Sequence, residues 1–163
     1  MQSPLLYIFD LDGTLLNLEH RLHFIQSTPK DWRGFFAAVD KDEPKLPVIR
    51  VLQALRSSGA EIWVWSGRSD ECRVTTIEWL CRHGCFGGPT ETLPAWPFGA
   101  PERFRMRKAG DRRDDAILKQ EWLNQVRQSD RDRLVGVFDD RDRVVAMWRR
   151  NDIQCFQVAP GDF

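Results

Sequence analysis

The chain has 163 residues, 42% of them hydrophobic, and its 24 lysines and arginines balance its 24 aspartates and glutamates. This length suffices for one hydrophobic core with little to spare, so we expect a single domain over residues 1–163 with a small insert. The charge balance excludes a global positive field that would draw the protein onto nucleic acid or an anionic membrane. Any such affinity therefore requires a local patch.

The sequence also bears on cellular location. No basic region followed by a long apolar run opens the chain, and no apolar stretch approaches the ~20 residues that a membrane span requires. The four cysteines are irregularly spaced, which is not typical of a disulfide scaffold. Zinc binding around Cys81, His83 and Cys85 is disfavoured because no fourth ligand lies nearby. We expect a cytoplasmic protein.

The first predicted element is a buried strand that ends in two carboxylates. Leu5 to Phe9 is apolar on both faces, as in a central parallel strand, and Asp10 and Asp12 follow it. In open α/β sheets ligands bind at this end of a strand. A hard cation such as Mg²⁺ can hold the two repelling carboxylates together and still bind a substrate phosphate. Asp10 is then a candidate nucleophile, and Thr14 offers its hydroxyl to a phosphate oxygen or to the turn.

Residues from about 17 to 45 predict a small helical insert. Apolar residues recur at helical spacing up to Thr28-Pro29, and Asp31 can cap a second short helix. Arg21 lies close enough in sequence to the phosphate loop to fold back over it. An insert at this place can cover the crevice at the strand ends.

A second strand delivers a possible phosphate cradle. An amphipathic helix over Pro47 to Ser57 leads into the strand Glu61 to Ser66, which runs into Gly67 and Arg68. The Ser66 hydroxyl can donate to a phosphate oxygen, Gly67 lets the backbone approach, and Arg68 can bind bidentately.

Asp70 is expected to cap the next helix, and the glycine- and proline-rich residues 84–102 are interpreted as a loop. A basic stretch follows, in which Arg103, Arg105 and Arg107 alternate on one face of a predicted strand. This pattern fits either an exposed edge strand protected by charge or a basic rim for a polyanion. In the second case nearby aromatic side chains could stack on a base: Trp96, Phe98 and Phe104.

The last elements repeat the opening architecture. A helix opening at Arg113-Asp114-Asp115 carries Lys119, and a later apolar strand from Leu134 ends in Asp139 and Asp140. One of these two carboxylates is expected to complete a Mg²⁺ site, and the other to hold a metal-bound water or Lys119. The sequence leaves open which does which. A helix over 141–150 and a strand over 153–158 complete the prediction.

These motifs resemble the haloacid dehalogenase (HAD) superfamily of phosphohydrolases. Asp10-Leu11-Asp12-Gly13-Thr14 is similar to its first motif, DxDGT, and Ser66, Lys119 and Asp139-Asp140 stand where its second, third and fourth motifs are expected. The resemblance implies an α/β fold, a HAD-like Rossmannoid three-layer sandwich with a central parallel sheet. It also implies that the helical insert acts as a cap over the site.

Three further stretches are similar to one branch of the superfamily, the 3′-phosphatase domain of phage-type polynucleotide kinase/phosphatase: Arg113-Asp114-Asp115 with Lys119, residues 144–150, and the terminal Gly161-Asp162-Phe163. The resemblance implies that Asp10 is the nucleophile, that Asp12 is an acid and then a base, and that Lys119 supports catalysis. It implies substrate contacts from six residues: Thr14, Arg21, Ser66, Gly67, Arg68 and Asp115. It implies Mg²⁺ ligation by four aspartates: Asp10, Asp12, Asp139 and Asp140. One extra residue separates Asp115 from Lys119 relative to the family pattern.

The implied activity is the Mg²⁺-dependent removal of a terminal 3′-phosphate from nucleic acid. Nucleic acid 3′-phosphate ends are then the partners, with a possible separate kinase or ligase, because no GxxxxGK[ST] P-loop and hence no kinase domain is expected. The alternative is a phosphatase for small phosphate monoesters such as nucleotides, which the neutral net charge mildly favours. A non-catalytic end-binding module is disfavoured, because clustered carboxylates repel each other without a metal.

Overall fold

The computed structural model describes residues 3–87 and 97–161. The predicted base-stacking residue Trp96, much of the predicted loop and the terminal Asp162 and Phe163 lie outside these ranges. Over the described ranges, no helix has both the length and the apolar character needed to cross a bilayer. The four cysteines carry free thiols.

Strands and helices alternate along most of the chain. The strands are β1 (Leu6–Phe9), β2 (Leu16–Asn17), β3 (Glu43–Pro44), β4 (Glu61–Ser69), β5 (Phe104–Arg107), β6 (Leu134–Asp139) and β7 (Cys155–Gln157). The helices are α1 (Glu19–Gln26), α2 (Trp32–Ala37), α3 (Leu46–Ser57), α4 (Arg73–Arg82), α5 (Asp115–Asn124), α6 (Gln128–Arg131) and α7 (Asp142–Arg150). Short 3-10 turns occupy Val39–Lys41, Asp70–Cys72 and Pro97–Gly99.

A parallel five-stranded sheet in the order β5-β4-β1-β6-β7 forms the centre of the fold. β1 lies in the middle, as its apolar character on both faces predicts. One core cluster buries Ile49 of α3 and Trp79 of α4 against one face of the sheet. The second cluster buries Leu123 of α5 and Trp148 of α7 against the other face. The prediction of a three-layer α/β fold is confirmed.

The segment between β1 and α3, residues 17–45, contains the predicted helical insert, which we call the cap. β2 pairs with β3 in an antiparallel ribbon at its base, and α1 and α2 lie between these two strands. Asp31 is the N-cap residue of α2, as predicted. Its carboxylate accepts a hydrogen bond from Gly34 N at 2.8 Å. Helices thus cover the carboxyl end of β1, where the first motif lies.

Two local predictions around β4 are wrong. The strand extends three residues further than expected, to Ser69, because it continues to pair with β5 through a register shift between Ser66 and Ser69. Asp70 does not cap α4; its carboxylate accepts a hydrogen bond from Ala109 N at 2.9 Å. The Ser69 hydroxyl instead caps the intervening 3-10 turn by accepting from Glu71 N.

Candidate active site

The carboxyl ends of three neighbouring strands bring the predicted site residues together. Asp10 follows β1, Arg68 lies near the end of β4, and Asp139 ends β6. A cavity of about 790 Å³ opens there, within the range of about 300–1,000 Å³ that is usual for ligand sites. It is lined by Asp10, Asp12 and Lys119 among others.

Three buried aspartates form the floor of this cavity. One oxygen from each of Asp10, Asp139 and Asp140, the carboxylate cluster, lies within 4.8 Å of the others. Lys119 Nζ donates to Asp10 Oδ1 at 2.6 Å and to Asp139 Oδ2 at 2.7 Å. One ammonium group offsets three carboxylates, so a dication with oxygen ligands fits the remaining charge. The predicted metal site is therefore plausible in both charge and ligand type.

The pKa values of the residues in the floor also favour a bound cation. Burial raises the pKa of Asp10 well above its ordinary value, and the carboxylates of Asp139 and Asp140 raise it further against the pull of Lys119. Burial and the neighbouring Asp139 also raise the pKa of Asp140 to about 6. Burial disfavours the Lys119 ammonium, but the two carboxylates that it contacts outweigh burial and raise its pKa. The lysine therefore stays charged, and a further cation nearby would favour the ionised forms of Asp10 and Asp140.

The two carboxylates after β6 have different partners. Asp139 Oδ2 accepts from Lys119, and its Oδ1 accepts from the backbone N of Asp140 at 3.0 Å and of Arg141 at 3.3 Å. Asp140 accepts from the Thr14 hydroxyl at 3.1 Å. Asp139 is thus the partner of Lys119, and Asp140 has more free acceptor capacity for a cation. Thr14 is fully buried and holds Asp140, so a direct bond from Thr14 to phosphate stays a prediction.

Gly13 allows the catalytic turn to lie against Asp140. It has φ of +84°, and a Cβ at this position would lie 2.6 Å from Asp140 Cγ. Lys45 Nζ donates to the Gly13 carbonyl oxygen from the end of the cap. No sequence pattern around Lys45 predicts this contact.

Two buried arginines connect Asp12 to a second carboxylate, Asp42. Arg21 Nη2 donates to Asp12 Oδ1 at 2.9 Å, and Arg68 donates to both oxygens of Asp12. Burial alone would raise the pKa of Asp12, but Arg68, Arg21 and Arg141 outweigh it and lower that pKa. Arg21 does fold back to the phosphate loop, as predicted.

Asp42 is the residue that sequence reasoning missed. Its side chain has no exposed surface and accepts from Arg21 Nε at 2.6 Å, Arg68 Nη2 at 2.6 Å and His20 Nε2 at 2.9 Å. Trp79 Nε1 fixes its backbone by donating to the Asp42 carbonyl at 2.7 Å. Its local sequence, between Lys41 and Glu43, is typical of a solvated loop and carries no signal of burial.

Asp114 and Asp115 have different roles in the structure. The Asp114 carboxylate caps α5 by accepting from Ala116 N at 2.8 Å. Asp115 lines the cavity and pairs with Arg107 and with Arg141, the latter at 2.5 Å. Despite the extra residue before Lys119, Asp115 is the one that reaches the site.

The Ser66-Gly67-Arg68 segment forms one edge of the cavity. Gly67 and Arg68 line it, whereas the fully buried Ser66 accepts from Arg68 N at 3.1 Å and does not line it. The Gly67 carbonyl accepts from Arg107 Nε at 2.7 Å. Ser66 thus shapes the segment, and its predicted hydrogen bond to phosphate is untested.

Above the floor, the cavity has two unlike walls. The cap wall is mostly apolar and consists of Leu18, Leu22, Ile25, Trp32, Phe35 and Phe36. It also includes Lys30, whose Nζ lies 5.7 Å from the Trp32 ring centroid. The basic wall consists of Arg107, Lys108, Arg112, Arg113 and Arg141. Aromatic side chains, cations and the carboxylate cluster therefore line one cavity.

The predicted basic rim is only partly right. Arg107 belongs to the basic wall, but Arg103 pairs with Glu61 at 3.0 Å, and Arg105 lies 5.4 Å from the Trp65 ring centroid. Strands rise about 3.3 Å per residue, so Arg103 lies roughly 13 Å from Arg107, towards the other end of the strand. Alternation identified the face of the strand but not the end that reaches the site.

The prediction that aromatic residues near the basic strand could stack on a base is wrong for Phe98 and Phe104. Phe98 and Phe104 are buried in the core, with ring centroids 4.9 Å apart in an edge-to-face arrangement. The aromatic residues that do line the cavity come from the cap.

Comparison with known proteins agrees with this geometry. The sequence matches the polynucleotide kinase PNKP phosphatase domain of the HAD type over residues 4–163. It is 31% identical to a chain in the structure of the Pnkp1/Rnl/Hen1 RNA repair complex, with a TM-score of 0.73 over 98% of this chain and 44% of that chain. A second structure of the Pnkp1/Rnl/Hen1 complex also matches at 31% identity, with a TM-score of 0.72 over 100% of this chain and 49% of that chain.

A more distant likeness concerns the fold alone. The class C acid phosphatase from Bacillus anthracis with tungstate bound is 16% identical, with a TM-score of 0.61 over 99% of this chain and 68% of that chain.

This chain spans less than half the length of the matched chains from the Pnkp1 complexes. Because the domain match extends over almost the whole chain and the fold agrees with it, the chain belongs to the HAD-type phosphatase-domain family of polynucleotide kinase-phosphatase (PNKP).

Proposed function

We propose that this protein is a Mg²⁺-dependent polynucleotide 3′-phosphatase that works through an aspartyl-phosphate on Asp10. The observation that carries the proposal is the cavity, which has the carboxylate cluster as its floor and the cap wall and basic wall above it. Phosphate chemistry requires only the floor. A substrate that carries both bases and additional phosphates matches the two walls as well.

The carboxylate cluster would hold Mg²⁺, and Asp12 is expected to contribute its main-chain carbonyl oxygen. The fit rests on the three buried carboxylates facing one ammonium group, a donor set that suits a hard cation. When bound, Mg²⁺ neutralises charge on these carboxylates and on the transferring phosphoryl group.

The proposed reaction has two steps. The Asp10 carboxylate attacks the phosphorus in line, the bond between phosphorus and O3′ breaks, and the Asp12 carboxyl gives its proton to the departing O3′. Asp12 then takes a proton from a water molecule as this water attacks the phosphorus of the aspartyl-phosphate. Inorganic phosphate leaves, Asp10 is restored, and the nucleic acid ends in a 3′-hydroxyl. Arg68 and Lys119 offset charge on the phosphoryl oxygens in both steps.

The contacts of Arg68 suggest how Asp12 becomes available. In the substrate-free protein Arg68 donates to both Asp12 and the fully buried Asp42. A phosphate that competes for Arg68 replaces Asp12 as its partner, while Asp42 keeps the guanidinium in place. Loss of the Arg68 contact removes the interaction that lowers the Asp12 pKa most, so Asp12 can carry the proton that it gives to the leaving oxygen.

The proposal includes partners. A 3′-hydroxyl end is fit for ligation, so a separate kinase or ligase is expected to act on the same broken strands. The presence of Rnl and Hen1 in the RNA repair complex of the similar Pnkp1 supports this expectation.

A phosphatase for small monoesters is the second candidate. The cap wall lines the same cavity as the carboxylate cluster, so it could enclose a small substrate. On this reading Lys108 and Arg112, which make no ion pair with the described residues, have no phosphates to bind.

The test measures Mg²⁺-dependent phosphate release from a 3′-phosphorylated oligonucleotide, with Asp10→Asn as the blank. The comparison substrates are a 5′-phosphorylated oligonucleotide, a 3′-mononucleotide and p-nitrophenyl phosphate. A clear preference for the 3′-phosphorylated oligonucleotide supports the proposal. Cleavage of small esters alone replaces it with the second candidate, and inactivity on every substrate with retained oligonucleotide binding indicates an end-binding module.

A further inference from the structure

The cap presents an aromatic surface to the cavity. Trp32 is 48% exposed, and its ring centroid lies 6.0 Å from that of Phe36 with the planes 29° apart. Beneath them Phe35 is nearly buried and meets the edge of Trp32 at 5.8 Å. Half-exposed aromatic faces in a nucleic-acid cavity are suited to stacking on bases.

This aromatic surface is tied to the phosphate end of the cavity. Phe35 lies under the Arg21 guanidinium, 4.2 Å from its ring centroid, and Arg21 in turn donates to Asp12. Trp32 is the first residue of α2, whose start is fixed by the Asp31 cap. The position of Trp32 relative to Asp12 is therefore set by a continuous series of contacts.

Two cations of the basic wall have no partner within the described part of the chain. Among the residues that the structure describes, Lys108 and Arg112 are exposed and make no ion pair or side-chain hydrogen bond. By contrast, Arg107 forms an ion pair with Asp115. Arg113 forms ion pairs with Asp111 and Glu121.

Two acidic residues, Asp111 and Glu71, also line the cavity, and neither forms an ion pair with Lys108 or Arg112 among the described residues. Asp111 is paired with Arg113, and Glu71 accepts from the Ser69 hydroxyl at 2.8 Å. Unpaired Lys and Arg side chains beside a phosphate site are the groups that bind further backbone phosphates.

We propose that the cavity is a track for the last two nucleotides of a single strand. The base of the 3′-terminal nucleotide stacks on Trp32 and Phe36, and the phosphodiester on its 5′ side lies against Lys108 and Arg112. The inference rests on the proposed function, because a 3′-phosphate at Asp10 fixes the direction of the strand.

The track has three consequences for specificity. A 3′-mononucleotide lacks the 5′-side phosphodiester, so it is a poorer substrate than a 3′-phosphorylated dinucleotide. Stacking uses the faces of the rings rather than their edges, so all four bases are accepted. A terminal base on Trp32 has left its duplex, so single-stranded ends are favoured over paired ones.

The test compares variants of the two walls on three substrates: a 3′-phosphorylated dinucleotide, a 3′-mononucleotide and p-nitrophenyl phosphate. The double variant Lys108→Ser/Arg112→Ser should lower kcat/KM for the dinucleotide about tenfold, flatten its salt dependence, and leave the mononucleotide nearly unchanged. Trp32→Ala should lower kcat/KM about tenfold for both nucleotides and leave p-nitrophenyl phosphate unchanged. Matched controls are Arg50→Ser/Arg150→Ser and Phe156→Ala, exposed residues outside the cavity.

The outcomes separate this inference from the proposed function. Dinucleotide turnover that is unchanged in both cavity variants overturns the track, as does a loss of equal size on p-nitrophenyl phosphate. If the parent protein cleaves p-nitrophenyl phosphate but no 3′-phosphorylated nucleotide, the proposed function itself fails.

Discussion

Asp12 and Asp42 are held by the same two arginines, although one lies on the catalytic loop and the other at the end of the cap. Arg68 and Arg21 each donate to both carboxylates. The Asp42 side chain has no exposed surface, whereas 28% of the Asp12 side chain is exposed. Asp42 is therefore the fixed anchor of the arginines, and Asp12 is the partner that a phosphate can displace.

Replacing Asp42 by Asn tests this anchor. The substitution leaves two buried guanidinium groups with Asp12 as their remaining anionic partner, so we expect the free energy of unfolding to fall by about 3–5 kcal/mol. Turnover of every substrate should also fall, because Asp12 is held more tightly and Arg68 is less well placed. Chemical denaturation and kcat measure the two effects, with the exposed neighbour Glu43→Gln as control. Unchanged stability and turnover would contradict the anchoring role.

Lys119 is predicted to be required for the floor of the cavity. Lys119→Met keeps the apolar stem but removes both ion pairs with Asp10 and Asp139. We expect a loss of about 3–5 kcal/mol in metal-free protein at neutral pH, together with a loss of turnover. Added Mg²⁺ should restore part of the stability, because the cation replaces the missing positive charge. Thermal unfolding with and without Mg²⁺ measures this, and equal melting temperatures for parent and variant would be incompatible with it.

The pH dependence of the metal-free protein should reveal Asp140. Burial and the neighbouring Asp139 raise its folded-state pKa to about 6 from an ordinary value near 3.8. Between these two values the folded state binds more protons than the unfolded state, so this group makes stability fall as pH rises, by up to about 3 kcal/mol. Asp140→Asn should therefore raise the melting temperature of metal-free protein at neutral pH and reduce the additional stabilisation by Mg²⁺. A variant that is less stable than the parent at neutral pH would refute the assignment.

Much of the site could be predicted because its residues lie at the ends of strands. The carboxyl ends of β1, β4 and β6 must lie at one edge of a parallel sheet, so Asp10, Arg68 and Asp139 come together whatever the rest of the chain does. Asp42 could not be predicted in this way. Its burial depends on the path of the cap, which periodicity does not determine.

The walls of the cavity show a second limit of sequence reasoning. Helical spacing predicted the cap helices but not that Trp32 and Phe36 would face the cavity. Alternation likewise placed Arg103, Arg105 and Arg107 on one face without showing that only Arg107 of the three lies at the functional end. Which side of a helix or which end of a strand meets a site is set by tertiary packing.

Gly67→Ala probes the contact between the phosphate cradle and Asp115. A Cβ at residue 67 would lie 2.6 Å from Asp115 Cγ, so the Asp115 carboxylate must leave its position beside Arg107 and Arg141. We expect at least a tenfold fall in kcat/KM, since small displacements of positioning residues can cost about 10²-fold. Gly99→Ala is the matched control, because a Cβ there meets nothing within 4 Å. Full activity of Gly67→Ala would show that the placement of Asp115 is not needed.

The central claim concerns which terminal phosphate the protein removes, and an oligonucleotide phosphorylated at both ends tests it within one molecule. The oligonucleotide is incubated with the protein and Mg²⁺, and fragment mass spectrometry identifies the end that has lost phosphate, with Asp10→Asn as the blank. Our account predicts loss of the 3′-phosphate with the 5′-phosphate retained. Loss of the 5′-phosphate, or release at both ends at similar rates, would contradict it.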